Sequence, residues 1–282
     1  MPDNRKPRDD EIDVFGLTHQ GKVRKDNQDQ FLLASLHKQF TVLQSSLPSG
    51  TLHSASERVA MIAMVADGVG GGAGGERASA TALATVTEYV TSSSACFLYF
   101  DASEARFIET LQDAALRSHA AVRARAEAEA PGRTMATTLT LWMGVWPDYY
   151  ILQVGDSRYY LFREGQLTQV SRDQTIAQHL IDQGILSRSV AERSRFADVL
   201  SSAIGADEAA PVVTRLHSDW GLVHLLCTDG LTKHVSDARI AEVLGGMTSS
   251  RQAAEQLLQE ALDGGGTDNI TIIVGRSTRR DP

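Results

Sequence analysis

The chain of 282 residues carries 27 basic and 35 acidic side chains, so its formal charge at neutral pH is −8. Apolar residues make up 42% and charged residues 22%, an ordinary globular composition that excludes a disordered, collagen-like or coiled-coil chain. The acidic excess argues against a broad electrostatic surface for nucleic acid or an anionic membrane and leaves only a local basic groove open.

Cysteine usage and the chain ends predict a soluble cytoplasmic protein. The two cysteines, Cys96 and Cys227, belong to no CxxC pair and no cluster with histidine, so the sequence indicates neither a disulfide framework nor a zinc site. Residues 1–13 are densely charged and lack the apolar core of a signal peptide, and no later stretch approaches about 18 continuous apolar residues. We predict a single domain over 12–276 between polar tails at 1–11 and 277–282.

Short strands are predicted at 12–18 and 30–34, where they could form a hairpin around the turn-rich residues 21–29. Residues 36–58 are rich in serine, histidine and glutamine and are predicted as an insertion between two strands, either an adaptor surface or a tolerated loop. The continuous apolar run at 59–66 ends in Asp-Gly and predicts a strand buried on both faces.

The remaining chain consists of blocks of helix and blocks of strand. Apolar residues at three- and four-residue spacing predict helices at 76–90, 104–129, 237–244 and 251–262. Residues 172–211 are polar and helical with little apolar periodicity, and we expect a flap outside the main sheets. Blocks of strands without βαβ alternation favour an α+β fold, namely two antiparallel sheets that form a sandwich flanked by helices. An antiparallel meander opens the predicted strands of this part, which lie at 134–146, 149–154, 159–162, 166–170, 212–216, 222–227 and 270–274.

Five aspartates lie at the ends of predicted strands or in the adjoining turns. Any one of them could be an ordinary turn residue, since aspartate is common in turns. Placing all five against buried apolar strands would be costly unless a cation neutralised them. Oxygen ligands without nearby histidine or cysteine select Mg²⁺ or Mn²⁺, and several carboxylates can hold two such ions about 4 Å apart. The five are Asp29 in RKDNQD, Asp67 in VADGVGG, Asp156 in VGDSR, Asp229 in CTDG and Asp268 in GGTDN.

These motifs, in this order, closely resemble the motif series of the metal-dependent protein serine/threonine phosphatases of type 2C, especially the bacterial members. The resemblance extends over about residues 16–274, and it depends on the five motifs together because none is specific alone. It implies a four-layer αββα fold, in which pairs of helices flank the two-sheet sandwich, with a binuclear Mn²⁺ or Mg²⁺ centre at one end. A third, weaker ion is implied at Asp156 together with Asp229.

The resemblance also assigns the ligands of the two principal ions. Asp67 would bridge the two metals, and Asp229 and Asp268 would ligate one of them. Asp29 would support the other ion through water, and the backbone carbonyl of Gly68 would also ligate it.

Three further residues have implied roles around these ligands. Arg24 would hold the substrate phosphate, for which a planar guanidinium is well suited. Gln28 stands where many relatives carry glutamate and would surround the metals with one negative charge fewer. Asn269 would orient a ligand or water without binding metal itself.

The implied activity is hydrolysis of phosphoserine and phosphothreonine on proteins by attack of a metal-bridging hydroxide, without a phosphoenzyme. Metal charge and Arg24 would stabilise the transition state, and Asp67 and Asp229 would act through the metals they hold. The implied partners are phosphorylated proteins, those of a bacterial serine/threonine kinase that the enzyme would oppose, and we expect a monomer. The segment LTKHVSD further resembles phosphatases paired with kinases that control type VI secretion.

Two other interpretations compete with a phosphatase. Residues 70–75 satisfy the GxGxxG pattern of dinucleotide-binding proteins between a predicted strand and a helix. However, Asp67 just before this loop would repel a pyrophosphate, and Glu88 falls inside a helix where a ribose-binding acid should follow a second strand. A non-catalytic phosphoprotein-binding module with the same fold would be expected to have lost a ligand, whereas all five aspartates and Arg24 are present.

Overall fold

A computed structural model of the chain describes residues 5–48, 51–70, 73–92, 104–129, 132, 134–191 and 193–279. In chain order the strands β1 to β12 are Ile12–His19, Gln30–Phe40, Ala55–Ala66, Gly68–Val69, Ala136–Thr137, Leu139–Val145, Asp148–Val154, Arg158–Arg163, Gln166–Gln169, Val212–His217, Val223–Cys227 and Ile270–Ser277. Sheet A has the order β1-β12-β11-β8-β9 and sheet B the order β10-β7-β6-β3-β2, whereas β4 and β5 form a short separate pair. Neighbouring strands in both sheets are antiparallel.

Helices cover the outer face of each sheet. In chain order the helices α1 to α7 are Gly74–Ser92, Glu104–Glu129, Ile176–Asp182, Arg188–Ala191, Asp229–Thr232, Asp237–Gly245 and Ser250–Asp263. Helices α1 and α2 pack on each other and on strands of sheet B, and α6 and α7 pack on each other and on strands of sheet A. The predicted α+β sandwich with flanking helix pairs is therefore confirmed. In the described residues, no helix is long and apolar enough to cross a membrane.

Three buried apolar layers hold these elements together. One lies between the two sheets and includes Val65, Tyr149 and Ile273. The second joins sheet B to α1 and α2, around residues such as Leu111, and the third joins sheet A to α6 and α7, around residues such as Leu257. Each sheet thus buries both faces, which explains why β3 reads as a continuous apolar run in the sequence.

The predicted hairpin between the first two strands is wrong. Strand β1 pairs with β12 in sheet A, and β2 pairs with β3 in sheet B. The two strands instead face each other across the sandwich, where a Cβ atom at Gly16 would lie 2.8 Å from the ring of Phe31. Residues 20–29 therefore carry the chain from one sheet to the other, and their turn signals do not mark a hairpin loop.

The predicted insertion at 36–58 is also shorter than expected. Strands β2 and β3 continue through most of it, with Lys38 paired with Glu57 and Phe40 with Ala55, so the connecting segment is 41–54. This far end of the β2–β3 pair is exposed on both faces. Without a buried face, its side chains have no alternation of polar and apolar residues that could indicate a strand.

The predicted four-strand meander is divided between the two sheets. Strands β6 and β7 pair in sheet B, and β8 and β9 pair in sheet A. The chain crosses from one sheet to the other at residues 155–157, where Gly155 has a positive φ of 103°. This crossing places Asp156 at an end of the sandwich.

Some sequence features fall outside the described residues. Cys96 is one of them, as are two glycines of the loop at 70–75 and Pro131, which follows the second predicted helix. Cys227 is described, and it is a buried free thiol in β11.

Candidate metal centre

The topology brings all five aspartates to one end of the sandwich. Asp29 directly precedes β2 and Asp67 directly follows β3, and the antiparallel register of these strands places both at the same edge of sheet B. In sheet A, Asp229 follows β11 and Asp268 precedes β12, which are also antiparallel neighbours. Asp156 joins them from the crossing between the sheets. Elements distant in the sequence therefore supply one acidic cluster.

Asp29 is the most deeply buried of the five, at 1% exposure. Its Oδ2 atom accepts hydrogen bonds from the hydroxyls of Thr228, at 2.8 Å, and Thr271, at 2.7 Å. Its Oδ1 atom is buried without a hydrogen-bond partner among the described residues. Burial raises the pKa of this carboxyl, and the nearby charge of Asp229 raises it further, whereas the two threonine hydroxyls lower it.

Asp67 is fixed through its backbone. Its N–H donates to Thr138 Oγ1 at 2.9 Å, and its carbonyl oxygen accepts from the Thr138 N–H and the Thr137 hydroxyl, both at 2.9 Å. Burial raises the pKa of the Asp67 carboxyl well above its ordinary value, and the charges of the four other aspartates raise it further. The Asp67 carboxyl is therefore close enough to the other four for their charges to act on it.

Asp229 opens the short helix α5, and its two carboxylate oxygens differ. Oδ2 forms an ion pair with Nζ of Lys233, one helical turn later, at a distance of 2.6 Å. Oδ1 is buried and has no hydrogen-bond partner within the part of the chain that the structure describes. Burial raises the pKa of Asp229 in spite of the opposing effect of Lys233.

Asp268 differs from the other four because cations surround it. Arg24 donates from Nε to Oδ1 at 2.8 Å and from Nη2 to Oδ2 at 2.9 Å, and Lys233 Nζ lies 3.0 Å from Oδ2. Burial opposes ionisation of this carboxyl, but the hydrogen bonds from Arg24 and Lys233 outweigh it and lower the pKa. The residue predicted to bind phosphate is thus paired with a predicted metal ligand.

Asp156 connects the cluster to the segment at 172–211. Burial raises its pKa, followed by the charges of Asp229 and Asp173. Asp173 is itself held by Arg158, whose Nη2 atom lies 2.7 Å from Oδ2. Asp173, in the turn that follows β9, therefore acts on the acidic cluster through its charge, which raises the pKa of Asp156.

Gly68 lies where three backbone segments meet. A Cβ atom here would collide with the backbone of Gly75 and would lie 2.7 Å from the carbonyl oxygen of Gln28. Conversely, a Cβ atom at Gly75 would lie 2.7 Å from the Gly68 carbonyl oxygen. Glycine is required at both positions because the first turn of α1 packs directly on the backbone that follows Asp67.

Asn269 and Gln28 organise the loop that precedes β2. The side chain of Asn269 accepts from the Gln28 N–H at 2.9 Å and donates to the carbonyl oxygens of Gln20 and Asp26, both at 2.9 Å. Gln28 donates from Nε2 to the carbonyl oxygen of Gly70 at 3.2 Å. These contacts fix the loop that carries Arg24 and Asp29 against the loop that carries Asp67.

The donor chemistry fits a hard divalent cation. Asp29 Oδ1 and Asp229 Oδ1, which we call the two open oxygens, are buried carboxylate atoms that water or protein donors would normally satisfy. Aspartate oxygens and backbone carbonyls are the ligand types that Mg²⁺ and Mn²⁺ prefer. No three histidine, cysteine, aspartate or glutamate side chains of the described ranges are already arranged to hold an ion. Lys233 and Arg24 contact Asp229 and Asp268 instead, so cations of the chain itself occupy part of the acidic cluster.

A cavity of about 170 Å³ separates the acidic cluster from the flap, which we define as residues 172–211. Asp156, Asp229 and Lys233 line it on one side, and Gln178 and Ile181 of α3 on the other. Backbone hydrogen bonds anchor both ends of the flap to the sandwich, from the Gln174 N–H to the Gly155 carbonyl oxygen at 3.0 Å and from the Thr137 N–H to the Ile204 carbonyl oxygen at 2.9 Å. The flap and the acidic cluster therefore face each other across one cavity.

Sequence reasoning missed two functional features. Lys233 contacts both Asp229 and Asp268, and its spacing of four residues from Asp229 on a helix could have indicated the first contact. The pair of Arg158 and Asp173 depends on the turn between β8 and β9, and nothing in local spacing predicts it.

The dinucleotide interpretation is excluded by the topology. A dinucleotide-binding fold needs parallel strands joined by helices, whereas the strand before the glycine-rich loop, β3, pairs antiparallel with both of its neighbours. The glycines at 68 and 75 serve close backbone packing instead.

Comparison with known proteins agrees with this architecture. The family model described as protein phosphatase 2C matches residues 50–264, which is most of the chain, and the chain belongs to this family. It is 33% identical over 215 residues to the serine/threonine protein phosphatase PstP of Mycobacterium tuberculosis, covering 76% of this chain but 40% of PstP. The chain thus spans about two-fifths of the length of that relative. The serine/threonine phosphatase stp of Listeria innocua is 30% identical over 218 residues, with 83% of its length covered.

Solved structures show the same fold. The catalytic domain of PstP in complex with two manganese ions superposes with a TM-score of 0.73 and 28% identity, over 95% of this chain and 99% of that one. PppA, described as a key regulatory component of the type VI secretion system in Pseudomonas aeruginosa, superposes with a TM-score of 0.70 and 26% identity, over 95% of this chain and 98% of that one.

Proposed function

We propose that this chain is a metal-dependent protein phosphatase that hydrolyses phosphoserine and phosphothreonine on proteins. The observation that carries the proposal is the pair of open oxygens, Asp29 Oδ1 and Asp229 Oδ1, in a cluster of five aspartates beneath the flap. Family membership and the two manganese ions of the PstP complex support the same conclusion.

Asp67, Asp229 and Asp268, with Asp29 and the Gly68 carbonyl, would hold two Mn²⁺ or Mg²⁺ ions, and Asp156 with Asp229 a third, weaker one. When bound, these ions supply the activation of water for attack on phosphorus and the neutralisation of phosphate charge. Water adds to phosphorus while the bond to the serine or threonine oxygen breaks, which yields inorganic phosphate and the free hydroxyl. The carboxylates would orient the bound ions, and Gln178 and Ile181 of the flap line the cavity beside them.

Arg24 would bind the substrate phosphate. Its guanidinium already forms a two-point contact with the Asp268 carboxylate, which has the geometry it would use for two phosphate oxygens. Its side chain is 54% exposed and therefore accessible to a substrate. Once metals neutralise Asp268, the guanidinium would be released for the substrate.

We expect the substrates to be phosphoproteins of a cognate bacterial serine/threonine kinase, and the enzyme to act as a monomer in the cytoplasm. The free thiol of Cys227 supports a reducing compartment. The likeness to PppA and the segment LTKHVSD, which contains Lys233, support a substrate within a type VI secretion pathway.

The direct test of the chemistry is turnover of p-nitrophenyl phosphate by protein stripped with EDTA. We expect turnover to disappear in EDTA and to return on addition of Mn²⁺, because water activation depends on the bound ions. Turnover at the full rate in chelator would contradict a metal-dependent mechanism.

Substitution of Arg24 by alanine is expected to raise KM for phosphorylated substrates by about tenfold or more, which is the loss of affinity expected when a charge-assisted hydrogen bond is removed. The kcat value should fall less, because the guanidinium would contact phosphate in both the ground state and the transition state. The matched control is Lys25→Ala, which removes an exposed neighbouring cation and should leave both constants nearly unchanged. A fixed KM with a collapsed kcat would refute the phosphate-binding role.

Exposed apolar residues of the flap should matter for protein substrates only. Ile185 and Val190 are 60% and 49% exposed, and replacing both with serine should lower kcat/KM on a phosphoprotein by about threefold to tenfold while p-nitrophenyl phosphate turnover stays unchanged. Leu43→Ser with Leu47→Ser is the control, since these residues are 90% and 50% exposed in the segment between β2 and β3. Equal losses on both substrates would assign the flap a structural role.

A further inference from the structure

Lys233 occupies a central place in the acidic cluster. It follows helix α5, and its ammonium lies 2.6 Å from Asp229 Oδ2 and 3.0 Å from Asp268 Oδ2. Its side chain is 28% exposed and those of its two partners are 19% and 15% exposed, so water screens these ion pairs less than pairs at the surface. One ammonium therefore joins two carboxylates that come from different strands of sheet A.

The two sides of the cluster are held by different chemistry. On the sheet B side, the neutral hydroxyls of Thr228 and Thr271 hold Asp29. On the sheet A side, cations hold both carboxylates, because Lys233 contacts Asp229 and Asp268 and Arg24 contacts Asp268. A hydroxyl orients a ligand without opposing a metal, whereas an ammonium beside the same oxygens repels a divalent ion.

We propose that Lys233 is a built-in competitor for the metal, a counter-cation that stabilises the metal-free centre and lowers its affinity for divalent ions. This inference depends on the proposed function, since it takes Asp229 and Asp268 as metal ligands. On metal binding, the ammonium either leaves the carboxylates or remains beside the incoming charge, and both outcomes reduce the free energy gained by binding. Two unit charges about 4 Å apart at an effective dielectric constant of about 20 repel strongly enough to weaken metal binding by more than tenfold. We therefore expect Lys233 to lower the affinity for a divalent ion by at least about tenfold.

The test compares Mn²⁺ binding to metal-free wild type, Lys233→Met and Lys22→Met by titration calorimetry. Methionine preserves the length of the lysine side chain and removes its charge. Lys22→Met is the matched control, because Lys22 lies 3.9 Å from Asp263, outside the cluster. We expect Lys233→Met to bind Mn²⁺ about tenfold more tightly and to unfold at a lower temperature in chelator, because its carboxylates lose their counter-charge. The control should match wild type in both measurements.

Two other results would overturn the proposed competition between Lys233 and the metal. Weaker Mn²⁺ binding by a folded Lys233→Met protein would show that Lys233 positions Asp229 for the metal. Unchanged binding would show that Lys233 has no influence on metal affinity. Lys233→Arg keeps the charge and should retain the wild-type affinity, and Lys233→Gln replaces the methionine variant if that protein does not fold. If wild type binds no Mn²⁺ at all, the proposed metal ligands themselves are wrong, and this is distinguishable from failure of the competition alone.

Discussion

The Asp67→Asn variant is expected to lose Mn²⁺-dependent turnover by several orders of magnitude while becoming more stable without metal. Asparagine has the size of aspartate but lacks the negative charge that Asp67 would supply as a proposed metal ligand. In the metal-free protein, burial and the other four aspartates disfavour the ionised form of Asp67, as its raised pKa shows. Removing that charge should therefore increase the free energy of unfolding in chelator near neutral pH.

The sign follows from the direction of the pKa shift. A carboxyl with a folded-state pKa above its unfolded value destabilises the fold wherever it is ionised in the unfolded chain, that is, above the ordinary range of aspartate. The difference between variant and wild type should hence shrink as the pH falls towards 4, which denaturant titrations at several pH values would measure. Asp263→Asn, at the exposed end of α7, is the control and should change neither turnover nor stability appreciably. Substantial turnover by Asp67→Asn would remove this residue from the catalytic centre.

Substitution of Gly68 by alanine should have a comparably large effect through the backbone alone. The added Cβ atom would collide with the Gly75 backbone and press on the Gln28 carbonyl oxygen at 2.7 Å, and neither group is a flexible side-chain end. We expect a loss of about 3 kcal/mol in the free energy of unfolding together with loss of turnover, because the loop that carries Asp67 must move.

Gly74→Ala in the same segment is the matched control for this variant. A Cβ atom at Gly74 meets Met135 Cγ at 3.7 Å, an ordinary van der Waals contact. Its thermal stability and turnover should therefore stay close to those of wild type. Equal behaviour of the two alanine variants would contradict the close backbone packing proposed to shape the centre.

The sequence predicted individual elements better than their pairing. The helix predicted at 104–129 has those bounds in the structure, and the buried run at 59–66 lies within β3. The hairpin between β1 and β2 and the single meander were wrong, because adjacency in the sequence suggests pairing whereas these strands alternate between two sheets. Local patterns contain no information on which of two stacked sheets a strand joins.

The acidic cluster was predictable from the strand ends. Within each antiparallel pair, one aspartate precedes its strand and the other follows the neighbouring strand, so both lie at the same end of the sandwich. The cationic partners were not predictable in the same way. The contact of Lys233 with Asp268 spans 35 residues of sequence and depends on the packing of α5 against β12. The contacts of Lys233 in the acidic cluster therefore became visible only in the structure.

We propose above that these aspartates make the chain a metal-dependent phosphatase of phosphorylated proteins. The most direct measurement is release of inorganic phosphate from a phosphothreonine peptide, by wild type and by Asp67→Asn, in chelator and after addition of Mn²⁺. We expect release by wild type with Mn²⁺ only, and none above background from the variant in either condition. Release that persists in chelator, or that is equal in the two proteins, would contradict the proposed function.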